Sequence, residues 1–467
     1  MTRIFIMLLL AVATIKAVRA QGVEEEMFRP SFHYTPQNNR IGKLSGFVKL
    51  DDMYYLYFQK NNRNIEDAYY SLCQITSKDL LTWSEEQEVV RPEGQGEKLK
   101  ETIYTGSAII DNENLSKVSL GNTTILLYYV KLGEGVCLSY SNDKGSTWQE
   151  FSGNPIISER ENEKIEHPYV FFNEQDAKWQ MSLSTINEES KSRGIEILNT
   201  DNLTDFTTLY KSDIACDNAS ILSYRNKNNN TGLVLVNENG SYQSIDLGSD
   251  GINALSSLKW SDNGRVASSA VFCKDGSVYK SISLMDDNFK GMPFRGQLSI
   301  PVDVSILDKG DDVVMSQCPV SELSSLLENT KEIKEKLVMP GGKNVLSGVK
   351  GVKLRIKGSV EMRSCNYFTI YTRVHRGVSS AQIIYEAENQ NLISAGNSAD
   401  CPLPQNKIID FDIVIDKTSM EVFANKGEAV IKSLVFTEED KAIDFVATAK
   451  GGEAYIHSLE ITELLED

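Results

Sequence analysis

HYTPQNNRIGKLSG, residues 33–46, is polar and punctuated by glycine, and it leads into MYYLYFQ (53–59), an aromatic run of strand character. A bare lysine, Lys43, stands near the middle of the loop, and no aspartate or glutamate occurs between Pro36 and Leu50. The same alternation of turn-rich segment and short apolar run recurs down the chain. TTILLYYV (123–130), YVFFN (169–173), KWQMSLST (178–185) and TGLVLVN (231–237) are bounded by Asn, Gly, Asp and Ser, as strands ended by turns are. Such runs cover about 280 residues with few helical stretches, which predicts a sandwich, barrel or propeller.

Helical period is clear once, in VSELSSLLENTKEIKEKL (320–337), where Leu323, Leu326, Leu327 and Ile333 could share one face. Gly341 and Gly342 follow it. Strand alternation then resumes in VKLRIKGSVEM (352–362), FTIYTRV (368–374) and DFDIVID (410–416). The expected plan is all-β, with a large domain over 21–318, a short joining helix within 319–342 and a smaller domain over 343–467.

Residues 1–20 have the form of a secretory leader, with Arg3, an apolar core IFIMLLLAVA and Val18-Arg19-Ala20 before a cleavage site at Gln21. No other segment approaches the roughly 18 apolar residues that a spanning helix needs. A secreted, extracellular protein is therefore expected. The net charge of −17 argues against nucleic acid or an anionic membrane as partner. Seven cysteines are widely spaced without a CxxC pair, so no zinc pattern is present, and no metal or cofactor is expected. In an oxidising compartment some should pair; Cys365 with Cys401 is the one pair that shares the C-terminal part. Sequons at Asn114, Asn122, Asn202, Asn218, Asn229 and Asn239 are candidates for glycosylation.

From Arg29 onward the chain resembles the invertases, levanases and inulinases of glycoside hydrolase family 32. RPSFHYTPQ (29–37) is similar to the family's opening, and YYLYFQ (54–59) to a strand that ends in a substrate-contacting glutamine, here Gln59. SKDLLTW (77–83), YTGSAIID (104–111) and YSNDKGSTWQEFSGNPII (140–157) resemble further family motifs in order. LSIP (298–301) and QCPVSEL (317–323) resemble the domain junction, and MEVFANKGE (420–428) a hairpin of the C-terminal module. The resemblance implies an N-terminal five-bladed β-propeller followed by a C-terminal β-sandwich. His33 and Gln59 remain from the family's pocket wall and are as open to a structural role, satisfying backbone groups at a strand end, as to ligand contact; Tyr104, Ser107, Glu166 and Asp217 are further candidates for the pocket.

The chemistry of that family departs here. Retaining glycosidases use one carboxylate as nucleophile and another as acid/base. The family draws its nucleophile from W-M-N-D-P-N-G, a stabilising aspartate from R-D-P and its acid/base from E-C-P. With Gly46 as register, Lys43 falls at the nucleophile. Glu166-His167-Pro168 replaces R-D-P, and Ala215-Cys216-Asp217 replaces E-C-P. An ammonium repels the positively charged, oxocarbenium-like transition state, and Ala215 has no proton to give. No catalytic residue is expected at Lys43, His167 or Ala215. Lys43 and Glu166 then either form an internal pair in a rebuilt pocket or stand solvated after drift.

Three functions remain open on the sequence. One is an inactive homologue that binds a carbohydrate or protein. Another is a fructofuranosidase-like enzyme with a rearranged site using Glu166 or Asp217. The third is a structural, storage or self-assembling secreted protein. The oligomeric state is not legible. Asn218, three residues past Ala215, would obstruct a sugar if it faced the pocket and were glycosylated. Cys216 and Ile221 beside it suggest instead a packed strand and a silent sequon.

Overall fold

The computed structural model describes residues 28–465, apart from 62–69, 93–102, 120–122, 215, 249–250, 265–266, 287–291, 311, 376–377 and 437–443. The leader at 1–20, Ala215 and Asn122 lie outside the described residues.

The apolar runs read from the sequence form five antiparallel sheets that follow one another along the chain. Each has four principal strands. The first blade has Asn39–Leu50, Met53–Asn61, Tyr70–Ser77 and Gln87–Val90; the second has Ile103–Asp111, Thr124–Lys131, Gly135–Ser141 and Gln149–Glu150. The third runs from Glu163–Asn173 to Thr207–Ser212, the fourth from Ser220–Arg225 to Gly251–Ala254, and the fifth from Ala267–Asp275 to Val313–Pro319. This is a five-bladed propeller.

The packing explains why the strands are apolar on both faces. Met53–Asn61 is buried along almost its whole length, because one face meets the fifth blade and the other the second. Leu56 and Phe58 pack with Val271 and Ile282, whereas Tyr55 and Tyr57 pack with Leu127 and Tyr129. Tyr128 and Leu138 pack with Val170 and Met181, and Ile195 and Ile197 with Leu233 and Ile245. Each core thus lies between consecutive blades. Burial at roughly 25 cal/mol per Å² of apolar surface is the main force holding blade to blade.

The C-terminal domain is a sandwich of a six-stranded and a five-stranded sheet. Its core includes Ile356, Phe368, Ile383, Phe411 and Ile456. Val414, Phe423 and Val430 of the sandwich also join Leu222, Phe272 and Val302 of the propeller in one cluster, so the two domains share a core.

The helix expected within 319–342 is corrected. Ser321–Leu326 is a six-residue 3₁₀ turn, and Leu327–Val338 is a strand paired with Ala454–Leu464. The strand buries Ile333 and Val338 and exposes most of its charged residues. Helical spacing of four apolar residues gave way to a ladder supplied by a strand more than a hundred residues away. The Lys and Glu side chains suit an edge strand, where charge discourages pairing with another chain. The Cys365–Cys401 pair is also corrected: all seven cysteines are free. Cys365 packs against Met362, with sulfur atoms 3.9 Å apart, and the Cys401 sulfur accepts from Asn425 Nδ2 at 3.4 Å. Membership of one domain does not bring two thiols together.

Candidate functional site

Four of the five inner strands are irregular near their first residues. The ladder shifts between Ile41 and Gly46, between Tyr104 and Ser107, between Glu166 and Tyr169 and between Ser268 and Val271. A bulge turns the strand and re-aims its side chains. His167 (φ 46°) and Ser269 (φ 49°) sit at these shifts in left-handed backbone. Together the bulges bring Lys43, Thr105, His167 and Ser268 round one cavity of about 450 Å³. Gly42 lines it because a Cβ there would come within 2.9 Å of Gln59 Cβ and 2.8 Å of the Tyr70 ring.

Among the described residues, three carboxylates line the cavity, Glu166, Glu238 and Asp286. Each holds a cation. Lys43 Nζ donates to Glu238 Oε2 at 2.8 Å, and Asn218 Nδ2 donates to the same oxygen at 2.5 Å. Lys164 Nζ donates to Glu166 Oε1 at 2.6 Å and lies 4.5 Å above the Tyr104 ring. Arg40 reaches Asp286 Oδ2 at 3.0 Å, and Arg295 Nε reaches its other oxygen at 2.7 Å. His167 is buried and stacks on Tyr169. Burial, helped by the nearby Lys43 charge, pushes its pKa down to about 3, so the ring is neutral. Its Nδ1 lies 3.3 Å from the Thr105 hydroxyl.

The expected pocket residues divide. Gln59, Tyr104 and Glu166 line the cavity, and so do Lys43 and His167, from the degenerate catalytic positions, and Asn218, expected instead in a packed strand. Gln59 is also a brace: its Oε1 accepts from the Lys43 backbone N–H at 3.1 Å, and its Nε2 donates to the Ile103 carbonyl at 2.8 Å. The Lys43–Glu166 pair does not form, because each takes another partner. His33 is not a pocket residue; it is buried at the domain junction between Asp416 and Glu421, 2.8 Å from each. Ser107 does not line the cavity, and its hydroxyl ties the second blade to the third through the Pro168 carbonyl and the Val170 N–H, 2.9 Å each. Asp217 is also absent from the lining and pairs with Arg193 at 2.5 Å. Asn218 is buried at 8 % exposure with its amide on Glu238. Asn114 and Asn202 are half-buried, and Asn229 and Asn239 are exposed.

Sequence reasoning missed Glu238, Arg40, Lys164 and Asp286. Glu238 belongs to the hairpin turn after Thr231–Val236 in the fourth blade. Its signal was indirect: Arg40 and Lys43 stand close together in an otherwise uncharged stretch, read from the sequence as a loop but part of the strand Asn39–Leu50, and call for counter-ions that the stretch does not supply.

The fold, a five-bladed propeller that shares a core with a β-sandwich and opens into a polar cavity, defines the class of protein to which the chain is compared. Residues 33–223 match the glycosyl hydrolases family 32 N-terminal domain, and residues 322–463 match the glycosyl hydrolases family 32 C-terminal domain. The chain belongs to glycoside hydrolase family 32. It is similar to a levanase of Bacillus subtilis, 26 % identical over 92 % of this chain and 69 % of the relative. It is also similar to an extracellular exo-inulinase of Aspergillus awamori, 22 % identical over 91 % of this chain and 93 % of the relative. The crystal structure of exo-inulinase from Aspergillus awamori superposes with a TM-score of 0.81 at 19 % identity, covering 94 % of this chain and 98 % of that one. A β-fructofuranosidase from Bombyx mori gives a TM-score of 0.71 at 13 % identity, covering 98 % and 99 %.

Proposed function

We propose that this family 32 chain is a secreted, non-hydrolytic member that binds a carbohydrate in the propeller cavity. One observation carries the reading: among the described residues, each carboxylate lining the cavity is held by a lysine or arginine. Glycoside hydrolysis needs one carboxylate free to attack the anomeric carbon and a second able to give up a proton. Lys43 stands where the family resemblance puts the nucleophile, and the neutral His167 stands at the stabilising aspartate. The cavity volume is that of a small-ligand site, and its lining of paired charges, amides and Tyr70 and Tyr104 suits hydroxyl groups. The levanase and exo-inulinase relatives point to a fructan-type ligand. The leader at 1–20 and the extracellular relative support secretion.

The test is incubation with sucrose, inulin and levan, followed by assay of released fructose. No release is expected, with calorimetric binding of at least one of the three. Turnover at ordinary enzyme rates, on the order of 1–1000 per second, overturns the reading. A rearranged hydrolase is the competing reading, because Glu166 and Glu238 both line the cavity; it requires a turnover that Glu166→Gln or Glu238→Gln abolishes.

A further inference from the structure

A second cleft lies at the far end of the same inner strands. Ile103–Asp111 and Glu163–Asn173 begin at the cavity with Thr105 and His167 and end at Asp111 and Phe172. A rise of about 3.3 Å per residue puts Thr105 and Asp111 about 20 Å apart. There, between the second and third blades, a cleft of about 400 Å³ opens, with Asn112, Glu113, Phe172, Lys178, Trp179 and Asp201 in its lining. Among the described residues it is separate from the first cavity, with which it shares no lining residue.

The walls are fixed and the polar groups are not engaged. Trp179 packs on the core between the two blades. Phe172, 43 % exposed, meets it edge-on, with ring centres 5.5 Å apart and planes at 68°. Buried Asp111 accepts the N–H groups of Leu115 and Ser116, both at 2.9 Å, and the Ser116 hydroxyl at 2.6 Å. That holds the turn which presents Asn112 and Glu113. The Thr200 hydroxyl accepts from the N–H groups of Asn202 at 3.2 Å and Leu203 at 2.8 Å, holding the turn that presents Asp201. The side chains of Asn112, Glu113, Lys178 and Asp201 make no hydrogen bond or ion pair with another described residue. This is the reverse of the propeller cavity, where the carboxylates are already occupied.

We propose that this cleft binds a neutral hexose unit of a glycan chain. A sugar ring has an apolar C–H face, which stacks on the exposed, electron-rich face of Phe172. Its hydroxyls each donate and accept. Glu113 and Asp201 accept, Lys178 donates, and Asn112 does both. Such a mixed set matches a polyhydroxyl ligand and disfavours an anion, since Asp111, Glu113 and Asp201 outnumber Lys178 in the lining. A site here would hold a polymer on the opposite face from the cavity.

The experiment is native electrophoresis of the full-length protein through gels containing inulin, levan, dextran or laminarin, with cationic chitosan as control. At least one neutral polymer should retard the wild type. Phe172→Ala and the double variant Glu113→Gln/Asp201→Asn should each weaken that retention about tenfold, a change of about 1.4 kcal/mol. Both variants alter exposed side chains, and unchanged melting temperatures confirm that they fold. No retardation by a neutral polymer, retardation by chitosan alone, or full retention in both variants overturns the proposal. Full retention in both variants with loss in Lys43→Ala would overturn the cleft and leave the cavity reading standing.

Discussion

His33 locks the propeller to the sandwich, and its removal should be felt as a loss of stability with a defined pH signature. The ring is fully buried, with Nδ1 2.8 Å from Asp416 Oδ2 and Nε2 2.8 Å from Glu421 Oε1. Burial alone would lower its pKa, but the two carboxylates outweigh that and raise it from 6.5 to about 9. His33→Ala leaves two buried carboxylates facing a void. Asp416 keeps the N–H groups of Ser31, Phe32 and Lys417. Glu421 keeps only the Ile300 N–H on one oxygen, and its other oxygen has no partner, so the loss falls mainly on Glu421. Breaking a buried pair by removing one member costs about 3–5 kcal/mol. With an unfolding entropy of about 2.1 cal/mol/K per residue, the 467-residue chain should melt about 3–5 °C lower if the domains unfold together. The sign of the pH effect follows from the raised pKa. The stabilisation is complete below the unfolded value of 6.5 and is lost as pH rises through about 9. The difference corresponds to about 3 kcal/mol. Calorimetry of wild type and His33→Ala from pH 6 to pH 9.5 is the assay, and the gap between the two melting temperatures should close at the alkaline end. Adding Glu421→Gln to His33→Ala should recover part of the loss. A gap below about 1 °C at pH 6, or one that does not change with pH, would refute the charged lock.

Other outcomes follow from single contacts. Gly264→Ala would place a Cβ 1.7 Å from the Lys432 carbonyl oxygen of the sandwich; overpacking of this kind costs about 1–3 kcal/mol or more, and a lower urea midpoint with faster proteolysis near the domain junction should report it. Peptide mapping of protein secreted from a glycosylating cell should find Asn218 unmodified and Asn229 and Asn239 occupied, since only the last two are exposed; full occupancy at Asn218 would show that its bond to Glu238 does not hold. Alkylation of the native protein should label Cys318 first, because it alone of the seven cysteines is exposed. Denaturation without reductant should then release the other six thiols, and a shortfall of two would reinstate a disulfide.

The strands were legible because burial on both faces leaves continuous apolar runs such as Tyr54–Phe58, which only a sheet interior explains. The number of blades was not legible from periodicity; it came from the family resemblance. The stretch 327–338 was misread because Leu323, Leu326, Leu327 and Ile333 fit a helical face, whereas strand pairing depends on a partner at 454–464 that local pattern does not reveal. His33 stayed open between a ligand-binding and a structural role for the same reason: its partners Asp416 and Glu421 lie far along the chain, and a polar residue ahead of a strand looks alike whether it serves a ligand or a domain junction. Asn218 is buried, but not in the packed strand expected from Cys216 and Ile221: it lies in a bend before Ser220–Arg225 and lines the cavity, which neighbours in sequence do not reveal.

The cavity turns on where Lys43 points. Solvated charges left behind by drift would be expected to stand apart, with each carboxylate free. Instead Lys43 of the first blade crosses to Glu238 of the fourth, Arg40 of the first reaches Asp286 after the strand Val278–Met285 of the fifth, and Lys164 folds back on Glu166 within the third. Lys43 is 48 % exposed along its side chain, so its pair is screened and adds at most about 1 kcal/mol to stability. Its consequence is chemical. With Lys43 and the Asn218 amide both on Oε2, Glu238 faces the cavity as one member of an ion pair; without Lys43 that oxygen would keep only the Asn218 amide. A neutral polyol can enter among these pairs and exchange hydrogen bonds with them. A charged ligand would have to displace one member of a pair. Under the proposed function, the same arrangement admits an uncharged sugar among the pairs while each carboxylate keeps its cation.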